Sequence, residues 1–472
     1  MYRLRSIEGL IGKHKELQAQ EIYLATPEEL NDPLEGAYDL QWIGDSVLWN
    51  NFLKHFLMVL IDEYCHLGIL GEEYDLRNYR RLDVLKSVRK FKTEEAKKLY
   101  TNVEIKLFEY EFVSELISFL SKKNTPTQKY ELKNYLKIFH HLSLSIIESE
   151  FENIYGFRVF KFLPFPMKIE EILPQYIDIF RRNKIDSTSI FNNEGEKLDD
   201  FFSYINEMYD QIELIALLKS KYTNISNSKF YLFELVDRYL EDIELMLYPN
   251  WFTACFMSTC EKSSIWGYYA DGHKGVCLKF KEKKDDNGNY IIELRNKNTS
   301  KVRKFIFHEV IYHSKNYKID FFKSLGKLPG KQLNDEWYTN IDGTLSNRVA
   351  DIFESDDLWR NQYWMKFEEY TKSKTSDWKS ENERRILTND FFSNLKEKDS
   401  RKWVYDFNDL EGIVFGAKTS NADKVRIIEV IMEKCKAQKR NDFKFYQARV
   451  EKSNEIVKYN ELKLLQFKFD KE

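Results

Sequence analysis

Glycine and proline are scarce, at 17 and 8 in 472 residues, which excludes collagenous, linker-rich and disordered classes. So few helix breakers imply many long helices. Cysteine is scarce too. The five, Cys65, Cys255, Cys260, Cys277 and Cys435, are odd in number and widely scattered, so a disulfide framework is not expected and a reducing cytoplasm is the natural compartment. No charge of one sign prevails. With 73 Lys+Arg against 76 Asp+Glu the net charge is -3, and a histone-like or polybasic binder is excluded. Long apolar runs are missing as well. The longest, Phe56 to Ile61, is far too short to span a bilayer, and the opening MYRLRSIEGL has no apolar signal core. The expectation is a soluble, cytoplasmic protein without a membrane partner. Neither a G-x-G-x-x-G nor a Walker-type phosphate loop occurs. What the chain has in abundance is aromatic side chains, 15% of its residues, with 35 Phe and 29 Tyr.

Texture divides the chain in three. Residues 1–45 read as strand, helix, strand, closed by the turn signal Asn31-Asp32-Pro33. From 46 to 248 long Lys/Glu/Leu/Ile/Phe segments with helical apolar spacing, such as 103–122, 128–150 and 229–247, predict an all-helical block, with a polar connection at 183–198. After Pro249 short β-branched and aromatic runs predict strands at 251–257, 275–280, 290–294, 302–312, 384–389, 402–406 and 411–415, with a hairpin turn at 285–289. Helices are expected at 347–372 and 420–434, and a last strand pair near 443–449 and 460–468. Two short strands cannot form a stable sheet alone. The predicted organisation is therefore an α+β core with a mixed or antiparallel sheet, made from 1–45 and 249–472, carrying 46–248 as a large helical insertion.

Three constellations could carry chemistry. In Trp378-Lys-Ser-Glu-Asn-Glu-Arg-Arg385, the period of a strand puts Glu381, Glu383 and Arg385 on one face, the carboxylates about 7 Å apart. One carboxylate could stabilise an electron-poor sugar carbon while the other activates an acceptor; the competing reading is a solvated edge strand. Arg3 and Arg5 share a face of the first strand, where a guanidinium could grip a diphosphate or simply meet solvent. Residues 251–280 hold a polar turn with Ser258 and Thr259 and an aromatic group, Trp266, Tyr268 and Tyr269, that could shelve a nicotinamide or adenine ring or be ordinary core. His273 with Cys277, and His308 with His313, lack zinc-site spacing, and no metal is expected.

Tyr2-Arg3-Leu4-Arg5-Ser6, Ile22-Tyr23-Leu24 through Pro27 with Asn31-Asp32-Pro33-Leu34-Glu35, and Ile265-Trp266-Gly267-Tyr268-Tyr269-Ala270-Asp271 running into His273-Lys274-Gly275 together resemble the bacterial domain of unknown function DUF2971. Trp378, Glu381, Glu383, Arg385 and Ile413-Val414-Phe415-Gly416 fit the same pattern, whereas Tyr268 departs from it. That resemblance supplies no reaction. A more distant one does: an early strand arginine, a strand ending in Ser/Thr and a late Glu-x-Glu resemble, in order, the triad of ADP-ribosyltransferases, whose sheets are split around NAD. It implies that Arg3 or Arg5 meets phosphate or ribose, that Ser258 or Thr259 takes the serine role, and that Glu383 faces the nicotinamide ribose with Glu381 toward the acceptor. Trp266 and Tyr269 would complete the NAD site. By analogy the chain would be a toxin or antiphage effector modifying a macromolecule, protein or nucleic acid. The alternatives are a non-catalytic binding or sensor module with the helical lobe docking a protein, and a Mg²⁺ nuclease using Asp32, Glu35, Glu381 and Glu383.

Overall fold

The computed structural model describes residues 1–71, 81–87, 91, 93–159, scattered positions between 202 and 218, 229–298, 300–313, 317–390, 395, 397–451 and 456–469. The segment 183–198 lies outside them. The fold is mixed α+β, and the chain forms two compact units. The first comprises Met1–Tyr38, Pro249–Tyr317 and Trp364–Glu472; the second comprises Asp39–Tyr248 and Lys318–Tyr363. Residues 318–363, which sequence texture alone assigns to the core, thus cluster with the helical block. Their aromatic residues are the reason: Phe321 stacks on Trp42 at 5.6 Å, and Phe322 meets Phe52 at 6.1 Å and Trp49 at 5.4 Å.

The first unit is built on an eight-stranded sheet. Its order is His308–Glu309, Glu383–Asp390, Asn250–Met257, Tyr2–Arg5, Val276–Phe280, Leu410–Phe415, Lys444–Glu451 and Ile456–Glu461. Neighbours run antiparallel except Leu410–Phe415 with Lys444–Glu451, which are parallel. The opening strand therefore lies inside a sheet whose other members all come from beyond residue 249. Alternation explains its two packed faces. Leu4, Met257, Cys277, Val414, Tyr446 and Ala448 pack on one side around the Ser263–Tyr269 helix. Ala254, Phe256, Val276, Leu278, Ile413, Phe415 and Phe445 pack on the other. That second face meets a smaller sheet of Glu21–Tyr23, Lys402–Tyr405 and Tyr290–Asn296, with Lys283–Lys284 and Val302–Ile306 alongside, and the Asn421–Ala437 helix.

One irregularity of the large sheet creates space. Tyr2–Arg5 and Asn250–Met257 share a single register pair, Tyr2 with Met257, and then diverge. Further along, Asn250–Met257 is met instead by Ala25, which exchanges backbone hydrogen bonds of 2.8 and 2.9 Å with Thr253. Between these two attachments the sheet is open. On its other edge Tyr2–Arg5 is held to Val276–Phe280 through four register pairs. Gly275 is needed where that pairing ends, because a Cβ there would come within 2.2 Å of the Arg5 carbonyl oxygen.

The second unit is mainly helical. The Ser46–Leu70 helix starts at Asp45, whose carboxylate accepts the Leu48 N–H at 3.1 Å, and ends at Gly71; the Lys129–Tyr155 helix ends at Gly156 with φ +78°. The run expected at 103–122 is two helices, Glu94–Phe108 and Glu111–Lys122. No described helix is long and apolar enough to cross a membrane.

Candidate functional site

The opening in the large sheet leads into a cavity of about 580 Å³. Arg3, Leu4 and Arg5 form one wall and Thr253, Ala254 and Cys255 the opposite one, as the divergence of their strands requires. Asp32, Glu35, Tyr269 and Lys374 also line it, as do Lys13, His14, Lys398 and Lys402 and the carboxylates Glu16, Glu21 and Glu29.

The Arg3 guanidinium is buried, packs over the Phe256 ring at 5.4 Å, and leaves Nη1 without a hydrogen-bond partner. Burial, and then the charge of Arg5, push its pKa down to about 10. Arg5 is ion-paired with Glu16 but keeps Nε free. Both arginines singled out from the sequence line the cavity, but so do Tyr2 and Leu4, so their sharing a strand face does not by itself explain it.

Lys374 and Glu35 belong to a buried network of charges. Lys374 sits in a three-residue strand, Ser373–Thr375, held parallel to Ile311–His313. Its Nζ donates to Glu381 Oε2 and Glu383 Oε2, both at 2.8 Å, and lies 3.8 Å from Glu35 Oε2. Arg385, fully buried, donates from Nε to Glu383 Oε1 at 3.0 Å and from Nη1 to Glu35 Oε1 at 2.9 Å and the Thr371 carbonyl at 3.0 Å. Tyr269 donates its hydroxyl to Glu381 Oε1 at 2.8 Å. Burial alone would raise the Glu383 carboxyl, but Arg385 and Lys374 outweigh it and hold the pKa at about 2. Burial prevails at Glu35 and Glu381, whose carboxyls are raised despite the same cations. Lys374 and Arg385 are held firmly in their charged forms, their burial outweighed by Glu383 and its neighbours.

Glu381 and Glu383 do meet, though not along a strand face. Glu381 ends a 3-10 helix, Ser376–Glu381; Asn382 turns through a left-handed conformation with φ +46°; and the strand begins only at Glu383. They converge on one ammonium group. Neither lines the cavity, and the Glu383 side chain is sealed, so the competing reading of a solvated edge strand does not hold either: the stretch is a buried junction. Two expected contacts lie elsewhere. Trp266 is buried whole, its indole N–H on the Cys260 carbonyl at 2.7 Å and its ring stacked on His273. Ser258 is exposed and donates to the Asn382 carbonyl at 3.1 Å, while Thr259 accepts the Glu261 N–H; neither lines the cavity. The strand passes its last register pair at Met257, so both point beyond the opening.

Lys374 was not legible, because Lys-Ser-Lys-Thr has no distinctive pattern. Glu35 had a signal in the Asn31-Asp32-Pro33 turn. The Asp32 carboxylate accepts the Leu34 N–H at 2.9 Å and its carbonyl the Glu35 N–H at 3.0 Å. Gly36, at φ +71°, lets the chain leave with its carbonyl on the Tyr370 hydroxyl. This turn presents Glu35 to Arg385.

The strand carrying Glu383 and Arg385 and the helix carrying Tyr269 fall in one continuous stretch of similarity. Residues 265–386 match the family model "Protein of unknown function (DUF2971)". The DUF2971 match contains Ile265 through Gly275, Lys374, and Trp378 through Arg385, whereas Arg3, Arg5, Glu35 and Ile413 through Gly416 lie outside it. It also contains Lys318–Tyr363 of the second unit. No curated protein and no solved structure matches the chain.

Proposed function

We propose that the first unit binds a phosphate-bearing nucleotide in this cavity, with NAD the leading candidate and ADP-ribosyl transfer to a macromolecule the reaction. One observation carries the reading: a buried guanidinium with a free nitrogen on the wall of a ligand-sized cavity. A buried cation left with an unpartnered donor carries a cost, and a phosphate entering the cavity relieves it. Volume agrees, since small-molecule sites run to roughly 300–1,000 Å³.

Within this reading Arg3 and Arg5 hold the diphosphate, and Tyr269 and Glu35 are the polar groups nearest the reacting end. Glu381 and Glu383 act through Lys374. The experiment is thermal melting with NAD beside an assay for released nicotinamide. A ligand that binds only the folded chain stabilises it by about 2.7 kcal/mol at a hundredfold excess over Kd. The expected result is a rise in Tm with NAD, lost in Arg3→Ala, together with nicotinamide release.

A binding or sensor module is the second reading. It is favoured by the sealed position of Glu383, and its outcome is the same rise in Tm with no nicotinamide released. The nuclease is disfavoured by charge: Lys374 and Arg385 already occupy the space among Glu35, Glu381 and Glu383 that a divalent cation would need. Among the described residues, the one group whose geometry could hold a metal ion is Asp62, Glu63 and His66, in the second unit.

A further inference from the structure

One carboxylate at the cavity differs from the others in what it holds. Glu21, Glu29 and Glu35 make their shortest ion pairs with Lys297, Arg401 and Arg385, at 2.7, 2.7 and 2.9 Å, and none of those cations lines the cavity. Asp32 accepts from the Leu34 N–H and the Thr375 hydroxyl. Glu16 is paired with Arg5, which does line the cavity. Its Oε1 accepts from Arg5 Nη2, and its charge reaches Arg3 as well, where it opposes the downward push of burial and of Arg5. Glu16 thus already gives the two arginines part of what an entering anion would give them. The backbone that carries it is fixed. In the four-residue helix Glu16–Ala19, Leu17 is buried in the core, and Lys434 Nζ donates to the Gln18 carbonyl at 2.7 Å and to Gln20 Oε1 at 2.8 Å. Releasing Arg5 therefore needs a turn of the Glu16 side chain about its own bonds, not a movement of the helix.

We propose that Glu16 is a built-in competitor for the ligand's anion: it neutralises Arg5 until a phosphate displaces it, and so sets a charge threshold that a diphosphate passes and a single carboxylate does not. This rests on the nucleotide reading above and adds to it the residue that regulates entry of the anion. The reason is an exchange of like for like. A carboxylate arriving at Arg5 replaces one negative charge by another, and it must also lie beside the carboxylate it has displaced. A diphosphate brings more than one charge, grips Arg5 and Arg3 together, and supplies the acceptor that Arg3 Nη1 lacks. Removing the Glu16 charge removes the threshold.

The test is calorimetric titration of the full-length chain with inorganic pyrophosphate, acetate and ADP. The wild-type chain should bind pyrophosphate and ADP and give no heat of binding with acetate at the same concentrations. Glu16→Gln should bind pyrophosphate roughly tenfold tighter, a change of about 1.4 kcal/mol. In an Arg5→Gln background that gain should disappear, because the competition is for Arg5. Unchanged or weaker pyrophosphate binding in Glu16→Gln, with ADP still bound by the wild type, ends this inference alone and makes Glu16 a prop for Arg5. A gain of the same size in the Arg5→Gln background ends it too, as does acetate bound by the wild type as tightly as pyrophosphate. If neither pyrophosphate nor ADP binds the wild type or Glu16→Gln, the nucleotide reading falls and this inference with it. Glu16→Asp keeps the charge but draws it back from Arg5 by the length of a methylene, so it should tighten pyrophosphate in the same direction. No change there overturns the proposal even if Glu16→Gln fails to fold.

Discussion

Arg3 sits where a purely structural residue would be poorly chosen. Replacing it with methionine removes a buried charge whose Nη1 has no hydrogen-bond partner and keeps the packing on Phe256. Stability should therefore rise or stay level, by about 0–2 kcal/mol, while the nucleotide-dependent rise in Tm disappears. A fall in stability, read by urea titration, would make Arg3 a strut. Glu383 should behave in the opposite way. It is the shared counter-ion of Lys374 and Arg385, so Glu383→Gln leaves two buried cations underbalanced and should cost about 3–5 kcal/mol at pH 7. Its folded pKa, about 2, lies below the model-peptide 4.5, so its contribution is full above pH 4.5 and is lost as pH falls toward 2. Denaturant titrations from pH 7 to pH 2 should show that acid-side loss in the wild type and a flatter profile in Glu383→Gln. A glutamate free on a cleft would instead tolerate the change with little loss.

At the scale of elements, strand alternation was readable wherever a strand has two packed faces. Asn250–Met257, Val276–Phe280 and Leu410–Phe415 fall within a residue of their expected bounds because each is apolar on both sides. The stretch 302–312 reads as one strand but forms three, Val302–Ile306, His308–Glu309 and Ile311–His313, which join three different sheets. Local composition does not encode a change of partner. The helical unit offers its own test. His55 is buried between the Tyr239 hydroxyl and the Val84 carbonyl, each 2.9 Å away, and burial lowers its pKa from 6.5 to about 4. The unfolded chain binds that proton more readily, so His55 alone should take about 3 kcal/mol from this unit as pH falls from 6.5 to 4. His55→Gln, followed by helix circular dichroism across that range, should remove only the His55 part of the slope, because burial lowers the pKa of His140 and His141 in the same unit too.

For the whole molecule, the division into units predicts which deletion survives. Removing 46–248 alone strands Phe321, Phe322, Trp337 and Tyr338, all buried in the second unit, without their partners. Such a chain should aggregate. Replacing both 39–248 and 318–363 by short Gly/Ser linkers should instead give a soluble protein that melts in one transition, checked by calorimetry, and that keeps the nucleotide response, because every residue lining the cavity belongs to the first unit.

The sequence by itself determined the mixed α+β class, the strand-rich and helical textures, and the Asp-Pro turn that delivers Glu35. Each follows from periodicity or from a residue's own backbone preference, which act over a few positions. Tertiary structure alone decided that Tyr2–Arg5 and Asn250–Met257 part after one pair, and that residues 318–363 join the helices. It also decided that Lys374 stands between Glu381 and Glu383 and closes them off. The physical reason is charge and burial acting between segments far apart in the chain. A lone carboxylate looks the same in sequence whether it will meet water, a ligand or a buried ammonium group, and only the fold brings the third party.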